Sequence, residues 1–122
     1  MASQKAIDNA IRLRYVRALE RFHKSIISYL ATTANLTKDG YAKKIESASK
    51  VLFRVEEAML YKGDLQELQK LVKKMIAEKE SEKNIEEIKE ELLYLSNQLD
   101  KTKNARRYKK EKHSHSLYDE WE

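Results

Sequence analysis

A chain of 122 residues, 41% of them hydrophobic, holds one domain with a real but modest core. It has no cysteine, which excludes a disulfide scaffold and thiolate metal ligation, and no proline and only two glycines, so long helices meet few residues that break them. Lysine and arginine outnumber aspartate and glutamate 25 to 20, for a net charge of +5.

The expected class is all-α: an antiparallel bundle of three to four helices over residues 1–100, followed by a tail over 101–122 that is basic, then acidic and aromatic. The first residues, MASQKAIDNAIRLR, place Lys5 and Asp8 where a signal peptide has its apolar run, and no segment reads as a transmembrane helix. A soluble, intracellular (cytoplasmic) protein is expected.

The first predicted helix runs from Ser3 to Thr33, with Ile11, Tyr15, Leu19, Phe22, Ile26 and Tyr29 at steps of 4, 4, 3, 4, 3 along one stripe. Asn35 and Thr37 are cap or turn formers in the polar stretch that follows. A second helix is expected over 37–62, where Tyr41, Ile45, Ala48, Leu52, Val55 and Met59 step 4, 3, 4, 3, 4. Gly63 is the expected left-handed terminator. Asp64 and Glu67 read as a capping box opening the next helix, so the two helices should meet in a tight antiparallel turn.

The third helix, over 65–79, carries Leu65, Leu68, Val72 and Met75, with Leu71 and Ile76 widening the face. The charged run EKESEKN then interrupts the apolar pattern, and a break is expected there. The fourth helix places Ile85, Ile88, Leu92, Leu95 and Leu99 at steps of 3, 4, 3, 4. This narrow, coiled-coil-like seam requires another helix, either within the bundle or in a second copy that would make a homo-oligomer. Its last turns are free to extend past Lys101, since no breaker follows and cations suit a helix C-terminus.

Charge is unevenly spread. Residues 1–34 carry six Lys or Arg against Asp8 and Glu20, a net of +4, whereas residues 80–100 carry two lysines against seven acids, a net of −5. On the first helix Arg14, Arg17, Arg21 and Lys24 step 3, 4, 3 and fall opposite the apolar stripe. Arginine's planar fork takes phosphate bidentately, and a row of cations one turn apart can track a nucleic-acid backbone as counterions are released. The plainer alternative is a solvated row, or one paired with the acidic fourth helix.

In the tail, seven of the twelve residues 101–112 are Lys or Arg. Arg106, Arg107, Lys109 and Lys110 are candidates for phosphate contact, with Tyr108 able to stack on a base. His113 and His115 alone are too few ligands for a zinc site. Leu117, Tyr118 and Trp121, set among Asp119, Glu120 and Glu122, have the composition of a docking peptide for a protein partner. No residue pattern implies a cofactor or a metal.

The segment Arg17-Ala-Leu-Glu-Arg-Phe-His23 has an Arg-x5-His spacing on a helix of a small α-bundle, and so resembles the active-site motif of HEPN-type ribonucleases. The resemblance implies Arg17 and His23 acting on an RNA phosphodiester. It covers seven residues and sits early in the chain, where that family places the motif late. His23 otherwise reads as a neutral, hydrogen-bonded imidazole at the rim of the core stripe. The function expected first is a non-catalytic, nucleic-acid-associated assembly protein that holds DNA or RNA backbone without reading bases; a tail-borne protein-interaction adaptor comes second and a small ribonuclease third.

Overall fold

The computed structural model describes residues 4–113, with side chains described through Lys101. The chain forms α1 (Gln4–Thr32), α2 (Lys38–Ala48), α3 (Lys50–Phe53), α4 (Gly63–Ala77), a 3-10 turn (Glu78–Glu80) and α5 (Ile85–His113), with no strand among the described residues. α1 is the central element, contacting α2, α3, α4 and α5. That position explains its wide buried face. Val16, Ala18 and Leu30 are buried beside Tyr15, Leu19, Phe22 and Ile26, while the expected core residues Ile11 and Tyr29 are only half-buried. A helix with neighbours on several sides buries more than one stripe.

Thr37 caps α2 in an extended conformation, its hydroxyl accepting from the Gly40 amide at 2.9 Å. Gly40 also permits a close approach: a Cβ there would stand 2.7 Å from the Tyr29 hydroxyl. Within the bundle the Tyr41 hydroxyl donates to the Met75 carbonyl at 2.6 Å, supplying a donor to the C-terminal turn of α4. Burial first, and the Glu78 carboxylate second, push this phenol well above its ordinary range, so it remains a donor.

The second predicted helix ends early. α2 stops at Ala48: Ser49 forms a turn in which its amide and its hydroxyl both donate to the Ile45 carbonyl, at 2.9 and 2.6 Å, and α3 continues only to Phe53. Residues 54–62 then run as an irregular, non-helical strap that opens in a turn at Arg54. Leu60, 4% exposed, enters the core in place of the expected Met59, which is 72% exposed.

Side chains of other helices replace the backbone bonds the strap gives up. Arg12 Nε donates to the Met59 carbonyl at 3.2 Å, and Gln66 Nε2 to the Leu60 carbonyl at 2.8 Å. Tyr15 donates to Glu57 at 3.3 Å and accepts from Gln69 at 2.6 Å. The helical reading of 54–62 loses to these contacts, of which those made by Arg12 and Tyr15 come from far away in sequence.

Two further corrections follow at the start of α4. Gly63 is its first helical residue, and no described residue has a positive φ, so Gly63 does not terminate a helix in left-handed geometry. Lys62 occupies the cap position. Asp64 lies in the first turn, where a carboxylate favours the positive end of the helix dipole, and Glu67 pairs with Lys70 at 3.3 Å instead of reaching back. The tight antiparallel turn is thus replaced by the strap.

The expected break after the third helix is present. α4 buries Leu65, Leu68, Leu71, Val72 and Met75, the 3-10 turn follows, and Asn84 caps α5 by accepting from the Glu87 amide at 2.9 Å. Ile88 and Leu92 are fully buried, while Ile85, Leu95 and Leu99 pack half-buried against the core.

A charge cluster ties this junction. Lys74 and Lys83 reach Glu91 at 2.9 and 2.8 Å, and each approaches Glu78 at 3.6 Å. Lys38 donates to the Ser81 carbonyl and, at 2.8 Å, to that of Lys83. Hydrogen bonds from Lys83 and then Lys74 hold the Glu91 carboxyl below its usual range, so its contribution to stability is full above the unfolded value and lost as pH falls through the folded one. The Lys83 ammonium is raised, chiefly by its bond to Glu91; its contribution is full below the unfolded lysine value and lost as pH rises through the folded one. The melting temperature should therefore decline in acid below about pH 4 and in alkali above about pH 10. In melts followed across pH, Glu91→Gln should flatten both limbs; an unchanged profile would remove this cluster as the sensitive element.

Candidate nucleic-acid interface

Arg14, Arg17, Arg21 and Lys24 are all exposed on α1, on the face away from its buried residues. Among the described residues none of the four forms a salt bridge. Pairing with the acids of α5 is not what holds them: Glu91, the α5 acid that forms salt bridges, binds Lys74 and Lys83 instead. The row therefore presents its charge outward.

The fold adds cations that the helical periodicity did not group with this row. Arg21 and Ser25 of α1, Lys44 and Ser47 of α2, Lys50 of α3 and Arg54 just beyond it line a groove of about 330 Å³, floored by Phe22, Ala48 and Val51. Among the described residues no carboxylate lines it. Four cations and two hydroxyls suit an anion with several oxygens: guanidinium forks take phosphate bidentately, while ammonium and hydroxyl groups donate singly. The local signal was Lys50 four residues before Arg54, one helical turn apart. What it lacked was the juxtaposition with Arg21, which depends on α3 packing against α1 after the Ser49 bend.

Arg17 and His23 are not brought together. Six residues apart, they differ by about 120° around the helix. Arg17 is exposed, whereas half-buried His23 has its Nε2 2.9 Å from the Ser96 hydroxyl. His23 lines a separate cleft of about 350 Å³ between α1, α4 and α5, which also contains Glu20, Lys24, Asp64 and Asp100. Three carboxylates against the single Lys24 ammonium leave this cleft net negative, which disfavours a phosphodiester. The histidine's place at the rim of the core stripe is the one expected of a hydrogen-bonded structural residue.

Arg106, Arg107, Lys109 and Lys110 fall on the backbone of α5, which extends past Lys101 as expected, but their side chains lie outside the described residues. The side chains of Tyr108 and His113 do so as well. His115, Leu117, Tyr118 and Trp121 lie wholly outside the described residues. Among the described residues no helix is long and apolar enough to cross a membrane. Compared with protein-family models, curated proteins and solved structures, the chain matches none.

Proposed function

We propose that the protein is a non-catalytic, nucleic-acid-associated assembly protein that holds phosphate backbone on the α1 cation row and the adjoining groove, without reading bases. The observation that carries this reading is that Arg21, Lys44, Lys50 and Arg54 line one groove with no carboxylate among the described residues, while Arg14 and Arg17 are exposed on the same helix as Arg21. Like charges lining one groove repel one another. A polyanion relieves that repulsion and gains entropy from released counterions.

Binding to labelled DNA and RNA should weaken linearly on a log–log plot against salt, and Arg14/Arg17/Arg21→Ala should make the slope shallower by about 2–3, at 0.7–0.9 per lost phosphate contact. Absence of binding at low salt, or an unchanged slope in the triple variant, would refute the proposal.

The adaptor alternative rests on Leu117, Tyr118 and Trp121. Deleting residues 114–122 removes no residue of a described helix. Nucleic-acid binding that survives the deletion while a bound protein is lost would favour the adaptor as a second role of the tail.

A further inference from the structure

Phe53 exposes 82% of its surface, more than any other large hydrophobic side chain among the described residues. It is the last residue of α3, one turn beyond Lys50 and adjacent to Arg54, both of which line the basic groove. The other exposed aromatics are placed differently. Tyr61 lies under the Arg12 guanidinium at 4.8 Å, and Tyr94 stands on α5. Phe53 does not itself line the groove; it is an apolar ring exposed in the chain between two cations that do.

Its platform is rigid. Val51 and Leu52 pack against the core on either side of the turn that carries it, and both the Leu52 and Phe53 amides donate to the Ser49 carbonyl. A phenyl ring has no polar atom to gain from water, so its exposure is unfavourable until an apolar or π surface covers it.

We propose that the groove takes single-stranded nucleic acid, with Phe53 as the stacking platform for one unpaired base while Lys50 and Arg54 hold the flanking phosphates. This rests on the phosphate-binding reading above. A flexible strand can lay its backbone along the cations and turn a base face onto the ring; every base has such a face, so stacking is sequence-tolerant. In a duplex the faces are covered by neighbouring base pairs, leaving only the phosphates for the groove. The site therefore discriminates single strands from duplex without reading sequence.

The test uses the full chain in anisotropy titrations with labelled oligo-dT, oligo-rU and a DNA duplex of equal length, on wild type, Phe53→Ala and Phe53→Trp. Phe53→Ala should weaken single-strand binding by about 5- to 150-fold and leave duplex binding and the salt slope unchanged. Phe53→Trp should restore or exceed wild-type affinity. The oligo-dT and oligo-rU arms identify the sugar preferred. Because Phe53 is exposed, both variants should melt with wild type.

Single-strand binding unchanged in Phe53→Ala, or an equal loss on duplex, would overturn the stacking role while leaving the phosphate reading intact. Failure of wild type to bind any of the three would overturn both.

Discussion

Replacing Phe22 with alanine should destabilise the protein by about 3–5 kcal/mol, a large share of the roughly 5–15 kcal/mol typical of a whole domain. Phe22 has 0% exposure and lies on the central helix, where α1 meets the α2–α3 pair, and it forms part of the floor of the basic groove. Removing its ring forfeits transfer free energy and leaves a cavity that neighbours on separate helices cannot all move to fill. For a chain of this size the melting temperature should drop by about 10–20 °C. Ile7, 44% exposed near the start of α1, is the internal control. Its replacement by alanine should change stability by about 0.5 kcal/mol or less. Urea and thermal unfolding of both variants check the expectation; a Phe22→Ala midpoint within the range of Ile7→Ala would mean that α1 does not pack as described.

The second large effect concerns charge. Reversing Arg21, Lys50 and Arg54 together to glutamate should reduce nucleic-acid affinity by about 10²- to 10³-fold or more at about 50 mM salt, since each lost phosphate contact removes about one decade there. The salt dependence should become shallower by about 2–3 in slope. Arg21 is distant in sequence from Lys50 and Arg54 and meets them only at the groove. All are exposed, so circular dichroism and melting should stay near wild type. A charge-matched control, Lys70, Lys79 and Lys89 to glutamate, changes net charge equally but away from the groove. Equal losses in both variants would assign binding to the general field of a basic protein; a much smaller loss in the control assigns it to the groove.

Much of the fold was legible in local pattern. The α1 stripe, the position of α4, the interruption at EKESEKN and the seam of α5 each rest on 3.6-residue periodicity and on charged runs that cannot enter a core. The second helix was misread because residues 37–62 keep that periodicity throughout. Val55 and Met59 fall in helical register, yet α2 stops at Ala48, a turn at Ser49 leads into the short α3, and the helical path ends at Phe53. The contacts that favour the strap come from Arg12, Tyr15, Gln66 and Gln69, on helices before and after it. Local propensity carries no information about partners as distant as Arg12 and Tyr15, and tertiary contacts override it.

The candidate site divides along the same line. Arg14, Arg17, Arg21 and Lys24 were legible because they share one helix, whose geometry places them on one face whatever surrounds it. Lys44, Lys50 and Arg54 were written in the sequence as ordinary surface cations, and Phe53 as one more apolar residue in a helical run.

By itself the sequence determined the all-α class, the long first helix with its outward arginine row, and the polarity of charge along the chain, since each depends on residues within a few turns of one another. Tertiary structure alone decided that the second helix breaks, that Leu60 replaces Met59 in the core, and that His23 turns to Ser96 while Arg17 faces water. It also decided that cations from three helical segments line one groove, with the exposed Phe53 ring in the chain between two of them. The reason is that these features depend on which surfaces meet. That is set by the joint packing of α1, α4 and the strap, where burying Leu60 and satisfying its carbonyl outweigh the local preference for helix.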